Sequence, residues 1–194
     1  MGKTIDTFAR ENLPAIELWP EIDLTHCAYH YPDRFNCVTR FLDQWIERGE
    51  GHRTALVTPN DRWTYDHLYQ QVNRIAHVLV EDYALVPGNR VLLRSANNPM
   101  MLAAYLAVIR VGGIAVGTMP LLRSTELSDI LNKARITHAL CDWQLRDELE
   151  VCRVRAPDLT TIGYFNSTVV DGLEVLMNEK PTDYTCLLYT SDAA

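Results

Sequence analysis

Several features that would identify common protein classes are missing from this sequence. Its five cysteines are scattered and form no C-x-x-C pair, so neither a disulfide scaffold nor a zinc ribbon is expected. Acidic residues outnumber basic ones by 25 to 18, which argues against a nucleic-acid binder, because phosphate affinity comes from clustered cations. The longest uncharged apolar run, residues 99–109, is too short to span a bilayer. We therefore expect a cytoplasmic protein without nucleic-acid or membrane partners.

A metal site is not expected either. The densest group of metal-ligating side chains is His26, Cys27 and His30, on a single segment that contains a nearby proline. Structural zinc takes about four ligands, and they converge from at least two segments of a chain. Since no second segment offers such residues, these three side chains are interpreted as solvated loop residues.

Hydrophobic periodicity divides the chain into an irregular arm, residues 1–35, and a body, residues 36–194. The arm carries three prolines and several large apolar side chains without a sustained period, so we expect it to pack on the surface of the body. In the body, apolar residues recur at helical spacing over 38–46 and over 68–79. Thr64 is the predicted N-cap of the second of these helices.

Short apolar strands then alternate with helices along the rest of the body. Strands are predicted to begin at residues 54, 90, 114, 137, 160 and 184, and the last four starts are 23, 23 and 24 residues apart. This spacing is typical of βα units that feed a parallel sheet. The sequence therefore predicts an α/β fold with a mostly parallel sheet, flanked by helices that cover both faces.

Ligands of open α/β sheets bind beyond the carboxyl ends of the strands. Five loops qualify here: residues 95–98, 118–123, 142–143, 165–167 and 189–191. None of them contains a catalytic set, and the chain has no G-x-G-x-x-G, G-x-x-x-x-G-K-[ST] or G-x-S-x-G motif. No catalytic residue is therefore predicted.

Other residues with chemical potential have simpler structural interpretations. Gly112 and Gly113 follow a predicted helix and enter a strand, so one of them is interpreted as a helix C-cap. His77 is predicted to be a partly buried or surface histidine, and the acidic run 147–150 the solvated face of a helix. The chain's three central methionines are interpreted as core residues: Met100, Met101 and Met119.

Five blocks in order resemble the start of adenylate-forming enzymes, the superfamily of acyl- and aryl-CoA synthetases, adenylation domains and luciferases. The blocks are residues 54–57 (TALV), 63–68 (WTYDHL), 73–76 (NRIA), 86–91 (VPGNRV) and 106–116 (LAVIRVGGIAV). Finer matches resemble 2-aminobenzoate–CoA and benzoate–CoA ligases; they are residues 11–14 (ENLP), 31–36 (YPDRFN), 97–101 (NNPMM) and 118–123 (TMPLLR). The resemblance implies the incomplete N-terminal part of the large domain of such an enzyme.

The same resemblance implies a reaction in two halves. A carboxylate attacks the α-phosphate of Mg²⁺–ATP to give an acyl-adenylate and pyrophosphate, and coenzyme A then displaces AMP. The implied substrates are ATP, coenzyme A and a flat aromatic acid, either benzoate or 2-aminobenzoate. No residue of this chain is assigned to the aromatic pocket.

The family's phosphate loop has the form Tyr-Thr-Ser-Gly-Thr-Thr-Gly-x-Pro-Lys. Tyr189, Thr190 and Ser191 match its first three positions, and Asp192 stands where glycine is expected. Thr190 and Ser191 are therefore the predicted nucleotide contacts, with a strand-end cap as their alternative role. Since the rest of the loop is absent, these 194 residues alone are expected to be inactive.

Two other functions remain open at this stage. One is a non-catalytic α/β interaction or regulatory domain that kept the scaffold and lost the site. The other is an adenylation domain that loads a carrier protein, which is chemically close to the ligase.

Overall fold

The computed structural model describes residues 5–23, 32, 34–167, 172–185, 189 and 190. Its helices are α1 (Phe8–Glu11), α2 (Gln44–Glu47), α3 (Tyr65–His77), α4 (Pro99–Arg110), α5 (Ser124–Lys133), α6 (Arg146–Cys152) and α7 (Leu173–Asn178). Its strands are β1 (Arg34–Phe35), β2 (Thr54–Val57), β3 (Arg62–Thr64), β4 (Arg90–Arg94), β5 (Ile114–Thr118), β6 (His138–Asp142), β7 (Thr161–Phe165) and β8 (Tyr189–Thr190). Short 3₁₀ turns cover Ile16–Leu18 and Trp143–Leu145, and π-helical turns cover Thr39–Asp43 and Val78–Asp82. Among the described residues, no helix has the length and apolar character that a bilayer crossing needs.

The centre of the molecule is a four-stranded parallel sheet with the order β5-β4-β6-β7. Residue Leu92 of β4 stands opposite Val116 of β5 and Ala139 of β6, and Ala139 stands opposite Ile162 of β7. No antiparallel pair interrupts the stretch from β4 to β7. The predicted α/β class with a parallel sheet flanked by helices is confirmed.

The two faces of this sheet bury different side chains, because side chains alternate along a strand. One face presents Val91 and Leu93 of β4 to a core shared with α3, α4 and α7. The opposite face presents Leu92 of β4 and Cys141 of β6 to a second core shared with α5 and α6. Strands buried on both faces explain why the sequence shows continuous apolar runs rather than alternation.

Local signals in the sequence set several helix ends. The Thr64 hydroxyl accepts the His67 N–H at 3.1 Å, as predicted for the N-cap of α3. The Asn98 side chain caps α4 by accepting the Met101 N–H at 2.9 Å, and Pro99 occupies the first helical position. Gly112 ends α4 with a φ of 80°, so the predicted C-cap is confirmed there.

Two strand predictions were wrong or incomplete. Residues 62–64 form a strand that pairs antiparallel with β2, whereas the sequence predicts only the helix capped by Thr64 there. The strand expected to start at residue 184 is absent at Tyr184 and Thr185, while residues 186–188 lie outside the described part. Instead, β8 pairs antiparallel with β1 in a separate sheet. The carbonyls of residues 182–184 accept hydrogen bonds from helix side chains and so are not available to a sheet.

Smaller predictions also need correction. Ser124 and Thr125 are residue types that favour an N-cap, and the sequence predicts one of them as the cap of α5, but both lie inside the helix, whose N-cap position is Arg123. Phe41 belongs to the apolar pattern of residues 38–46 but is 63% exposed, because a π-helical turn widens the helix there and rotates the pattern. Met100 is buried, whereas Met119 is 63% exposed in the loop after β5 and is not a core residue.

The start of the arm contacts the amino edge of the sheet. The Asp6 N–H donates to the Pro87 carbonyl at 2.8 Å, and the Asp6 carboxylate accepts from Asn89 and Arg90. Burial pushes the pKa of Asp6 upward, but hydrogen bonds from the Phe8 N–H, Arg90 and Asn89 outweigh it, so the pKa lies below its usual value. A depressed pKa means that this contact stabilises the fold at neutral pH and is lost in acid. The apolar side chains farther along the arm are exposed, namely Leu13, Ile16, Leu18 and Ile22.

Gly88 allows the arm to approach. It has a φ of +88°, and a Cβ at this position would lie 2.0 Å from the Asp6 carbonyl oxygen. We predict that Gly88→Ala lowers the free energy of unfolding by about 2 kcal/mol, since it adds displacement of the arm to left-handed backbone strain. Urea denaturation measures the loss, and trypsin cleavage after Arg10 reports release of the arm.

Gly49→Ala is the matched control for this prediction. Gly49 has a similar φ of +72°, but nothing lies within 4 Å of its would-be Cβ. It should therefore show the backbone strain alone, about 1 kcal/mol, and unchanged cleavage after Arg10. Equal losses in the two variants would contradict a role for Gly88 in docking the arm.

Candidate functional site

The topology of the parallel sheet singles out one crevice. From β4 the chain crosses by α4 to β5 on one face, and from β6 it crosses by α6 to β7 on the opposite face. The loops after β4 and β6 therefore diverge at the carboxyl ends of two neighbouring strands. Such a switch point is where open α/β sheets bind ligands. Three of the loops selected from the sequence meet here: 95–98, 142–143 and 165–167.

A buried carboxylate joins these three loops. The Asp142 Oδ2 atom accepts from Asn166 Nδ2 at 2.7 Å, from Asn98 Nδ2 at 3.1 Å and from the Ser95 hydroxyl at 3.4 Å. Its Oδ1 atom accepts the Gln144 N–H at 3.0 Å and so caps the turn after β6. Asp142 is only 7% exposed. We call this set of side chains the Asp142 cluster: Ser95, Asn98, Asp142 and Asn166.

Each member of the cluster is oriented by its own strand end. Asn98 uses its oxygen to cap α4 and its amide to reach Asp142 and the Ser95 hydroxyl. Asn166 follows β7 with a φ of 54°, a left-handed conformation that asparagine tolerates better than most residues. Ser95 follows β4 directly and is buried. Polar residues at strand carboxyl ends were visible in the sequence, but the convergence on Asp142 was not predicted.

Arg94 holds a second set of loops beside this cluster. Its guanidinium is almost completely buried and donates to the carbonyls of Met119, Pro120, Leu122 and Leu145, at 2.9–3.3 Å. The loop after β5 is thereby fixed from behind, while the Leu121 side chain points outward and is 81% exposed. The arginine thus fixes the rim of the carboxyl edge.

Two clefts flank the cluster at the carboxyl edge. One has a volume of about 280 Å³ and runs between the loop after β5 and the start of α6, with Arg94 and Glu148 in its lining. The other has a volume of about 410 Å³ and lies at the start of α4; it is lined by Asn97, Asn98, Met101, Leu102 and Tyr105. Both clefts are shallow and open to solvent.

The acidic run of α6 is less solvated than predicted. Asp147 is exposed, but Glu148 accepts the Ser124 N–H at 2.8 Å and pairs with Arg123. Glu150 accepts the hydroxyl of Tyr164, whose pKa is raised first by burial and then by this carboxylate. These acids therefore connect α6 to its neighbours and do not form a free acidic patch.

Near the switch point the described Ser95 hydroxyl lies 3.4 Å from Asp142 Oδ2, but it is buried and donates to the Ala96 carbonyl at 2.8 Å, so it does not form an exposed nucleophile. Burial raises the pKa of the Cys141 thiol to about 12, so it stays protonated at neutral pH and is unreactive. Nor do three or more His, Cys, Asp or Glu side chains come together as a metal site anywhere in the described part of the chain. Near the crevice, the polar side chains of Asp142 and Arg94 hydrogen-bond to the surrounding loops.

Of the two predicted nucleotide contacts, only Thr190 lies in the described part of the chain, and it is not at this crevice. Thr190 stands opposite Arg34 in the small β1–β8 sheet, and Ser191 lies outside the described residues. The expectation that residues 189–191 form a fifth strand-end loop of the parallel sheet is therefore wrong for Tyr189 and Thr190. The residues His26, Cys27 and His30, interpreted as solvated, also lie outside the described part of the chain.

Comparison with known proteins places this architecture. The sequence model of the AMP-binding enzyme family matches residues 42–191. Malpinin synthetase of Mortierella alpina is 32% identical over 134 residues, which cover 69% of this chain and 2% of that protein. The 3-hydroxybenzoate–CoA/4-hydroxybenzoate–CoA ligase of Thauera aromatica is 30% identical over 81 residues, which cover 42% of this chain and 15% of that protein.

A solved structure gives the same fold. The anthranilate CoA ligase AuaEII in complex with anthranoyl-AMP matches with a TM-score of 0.74 and 21% identity, over 80% of this chain and 29% of that one. The present chain thus spans less than a third of the length of each of these three proteins. Because the family model covers well over half of its residues, including the switch-point strands and β8, the chain belongs to the AMP-binding enzyme family.

Proposed function

We propose that this chain is part of an ATP-dependent ligase that activates an aromatic carboxylate as its acyl-adenylate and transfers the acyl group to coenzyme A. The observation that carries the proposal is the family match over residues 42–191, which includes the start of the phosphate loop. The ordered sequence blocks that resemble acid–CoA ligases support it independently of the overall fold.

Benzoate or 2-aminobenzoate is the proposed acid. The motifs at residues 97–101 and 118–123 support an aromatic substrate. So do the hydroxybenzoate–CoA ligase and the anthranilate CoA ligase among the similar proteins. Since no described residue is assigned to the aromatic pocket, the choice between the two acids belongs to the assay below.

In the first half-reaction a carboxylate oxygen attacks the α-phosphorus of ATP, a new C–O–P linkage forms, and the bond to pyrophosphate breaks. The sulfur of coenzyme A then attacks the acyl carbon, and AMP leaves. We assign Thr190 and Ser191 to hold the nucleotide phosphates, the former at the end of β8. Mg²⁺ is held largely by substrate phosphates in such sites, and the described residues offer no cluster for it, so no step is assigned to it here.

The parallel sheet has a supporting role in this proposal. Its switch-point crevice is filled by the Asp142 cluster, and its loop ends are fixed by Asp142 and Arg94. This layer therefore serves as a rigid frame for the parts of the enzyme that bind substrates. Rigid frames matter because a misplacement of about 1 Å can cost roughly a hundredfold in rate.

The proposal predicts carboxylate-dependent exchange of pyrophosphate into ATP by the complete ligase. Exchange with benzoate or 2-aminobenzoate should exceed exchange with palmitate by about tenfold or more. Even one extra methylene in an apolar pocket lets an enzyme discriminate between two substrates by roughly tenfold or more. The 194-residue chain alone should show no exchange above a blank without protein.

Three outcomes would contradict parts of this proposal. Equal exchange with palmitate and benzoate would refute the aromatic preference. Exchange by the 194-residue chain alone would show that it contains a complete site. Tight ATP binding by the complete protein with no exchange for any acid would favour the non-catalytic regulatory domain instead.

A further inference from the structure

Residues 180–184 lie across helices α3 and α4 and are held there by side chains. Three successive backbone carbonyls of this segment each accept from a different helix residue. The donors are Asn73 Nδ2 to Thr182 at 2.7 Å, His77 Nε2 to Asp183 at 2.8 Å and Arg110 Nη1 to Tyr184 at 3.5 Å. We call residues 180–184 the strap.

The three donors are themselves fixed. Asn73 is fully buried, and its Oδ1 atom accepts from Arg110 Nη1 at 2.7 Å. Arg110 is also fully buried and pairs with the carboxylate of Asp43. Asn73 and His77 are four residues apart on α3 and so lie on the same side of that helix. Arg110 therefore links Asn73 of α3, the Asp43 carboxylate and the strap in one buried network.

His77 holds the strap by two contacts. Its Nε2 atom faces the Asp183 carbonyl, and its Nδ1 atom faces Glu81 Oε1 at 2.7 Å. Both partners are acceptors, so both contacts are hydrogen bonds only when the ring carries two protons. The ring also packs edge-on against Tyr184, with centroids 5.0 Å apart.

Lys180 closes the other end of the strap on the same surface. Its Nζ atom lies 3.0 Å from Glu81 Oε2 and 2.8 Å from Asp82 Oδ2. Hydrogen bonds from His77 and Lys180 lower the pKa of Glu81, in that order of size. Glu81 therefore bridges the two residues that hold the strap.

The strap leads directly into the predicted phosphate loop. Thr190 follows Tyr184 by six residues, and its backbone is paired with β1. Asn36, which follows β1, donates its amide to the Ile109 carbonyl at 2.9 Å. Tyr184, at the end of the strap, and Asn36, next to the strand that pairs with β8, therefore both contact the last turn of α4.

We infer that Asn73, His77 and Arg110 are positioning residues that set the place of Thr190 at the nucleotide phosphates. This inference rests on the proposed function. Three contacts on consecutive carbonyls remove the sliding and rotation that helix packing alone would leave to an extended segment. Nucleotide binding should then depend on side chains of α3 and α4, which lie far from Thr190 in the sequence.

The test compares His77→Phe with His67→Phe in the complete ligase. His77→Phe keeps the ring beside Tyr184 but removes both polar contacts. His67 lies on the same helix, is exposed and packs edge-on against Trp63, so its replacement is a matched control. We expect His77→Phe to raise the KM for ATP by about tenfold or more, with less than about a twofold change in the KM for the acid.

Equal kinetics in the two histidine variants would overturn the inference. If His77→Phe does not fold, Lys180→Met gives the same comparison from the strap side, where the change lies outside the helix core. A general loss of fold would lower the apparent kcat and the melting temperature, because less active enzyme is present, but it would leave both KM values unchanged. A selective change for ATP would not follow from such a loss.

Hydrogen exchange separates failure of this inference from failure of the proposed function. In the 194-residue chain, His77→Phe should speed amide exchange over residues 184–190 by about tenfold relative to His67→Phe. Unchanged amide hydrogen exchange would overturn the inference that His77 holds the strap, whether or not the protein catalyses adenylation. If amide hydrogen exchange speeds up but the unmodified complete protein shows no adenylation, the contacts to the strap have a structural role and the ligase proposal fails.

Discussion

Asp142→Ala should lower the free energy of unfolding by about 3 kcal/mol, measured by urea denaturation. The substitution removes the acceptor of the Asn98 and Asn166 amides and of the Gln144 N–H. A hydrogen bond to a charged group contributes roughly 1.5–3 kcal/mol. Water offsets part of the sum, because Asn98 is half-buried and Asn166 and Gln144 are exposed. The effect is large because one carboxylate joins three loops.

Two further variants sharpen this measurement. Asp142→Asn retains one acceptor oxygen, so it should cost about half as much as the alanine variant. Asp147→Ala removes an exposed carboxylate from the next helix and should change the free energy of unfolding by less than about 0.5 kcal/mol. A loss at Asp142→Ala no greater than at Asp147→Ala would show that the cluster does not stabilise the sheet edge.

The buried pair of Arg110 and Asp43 should show a coupling energy of about 2 kcal/mol or more in a double-mutant cycle. Arg110 is 1% exposed and Asp43 is 17% exposed. Asp43→Asn removes the carboxylate partner of a buried guanidinium, a change that typically costs about 3–5 kcal/mol. In the double variant with Arg110→Met the buried charge is gone too, so the second change should cost much less than it does alone.

Arg53 and Glu50 supply the control cycle. This pair is 56% and 39% exposed on the surface, three residues apart. Its coupling should be about 0.5 kcal/mol or less, because water screens exposed charges. A similarly small coupling for Arg110 and Asp43 would show that this buried pair does not hold α4 against the π-helical turn Thr39–Asp43.

The periodic elements of this fold were predictable because their signals are local. The predicted stripe of α3 is buried in full: Leu68, Val72, Ile75, Ala76 and Leu79. The β4 bounds agree with the prediction, and β6 and β7 are displaced by one residue. Helical spacing and continuous apolar runs require no knowledge of partners. The same reasoning missed β3, since three residues are too few to show a period.

The site was predicted at the level of loops but not of contacts. The sequence predicts which strand ends meet at the carboxyl edge, because parallel strands of a βα series all end on one side. The Asp142 cluster is not predictable in this way, since the side-chain partners of Asp142 are 24, 44 and 47 residues away in the chain. Solvated loops and buried hydrogen-bonded loops have the same composition.

By itself, the sequence determined the family, the order of the elements and the two apolar faces of the sheet, because each depends on residue spacing along the chain. Only the tertiary structure decided what the polar side chains do. Asn73 and His77 belong to a predictable helix, yet their partners lie 109 and 106 residues away. A buried amide must find an acceptor, but which carbonyl it finds depends on how distant segments pack, and no local pattern carries that information.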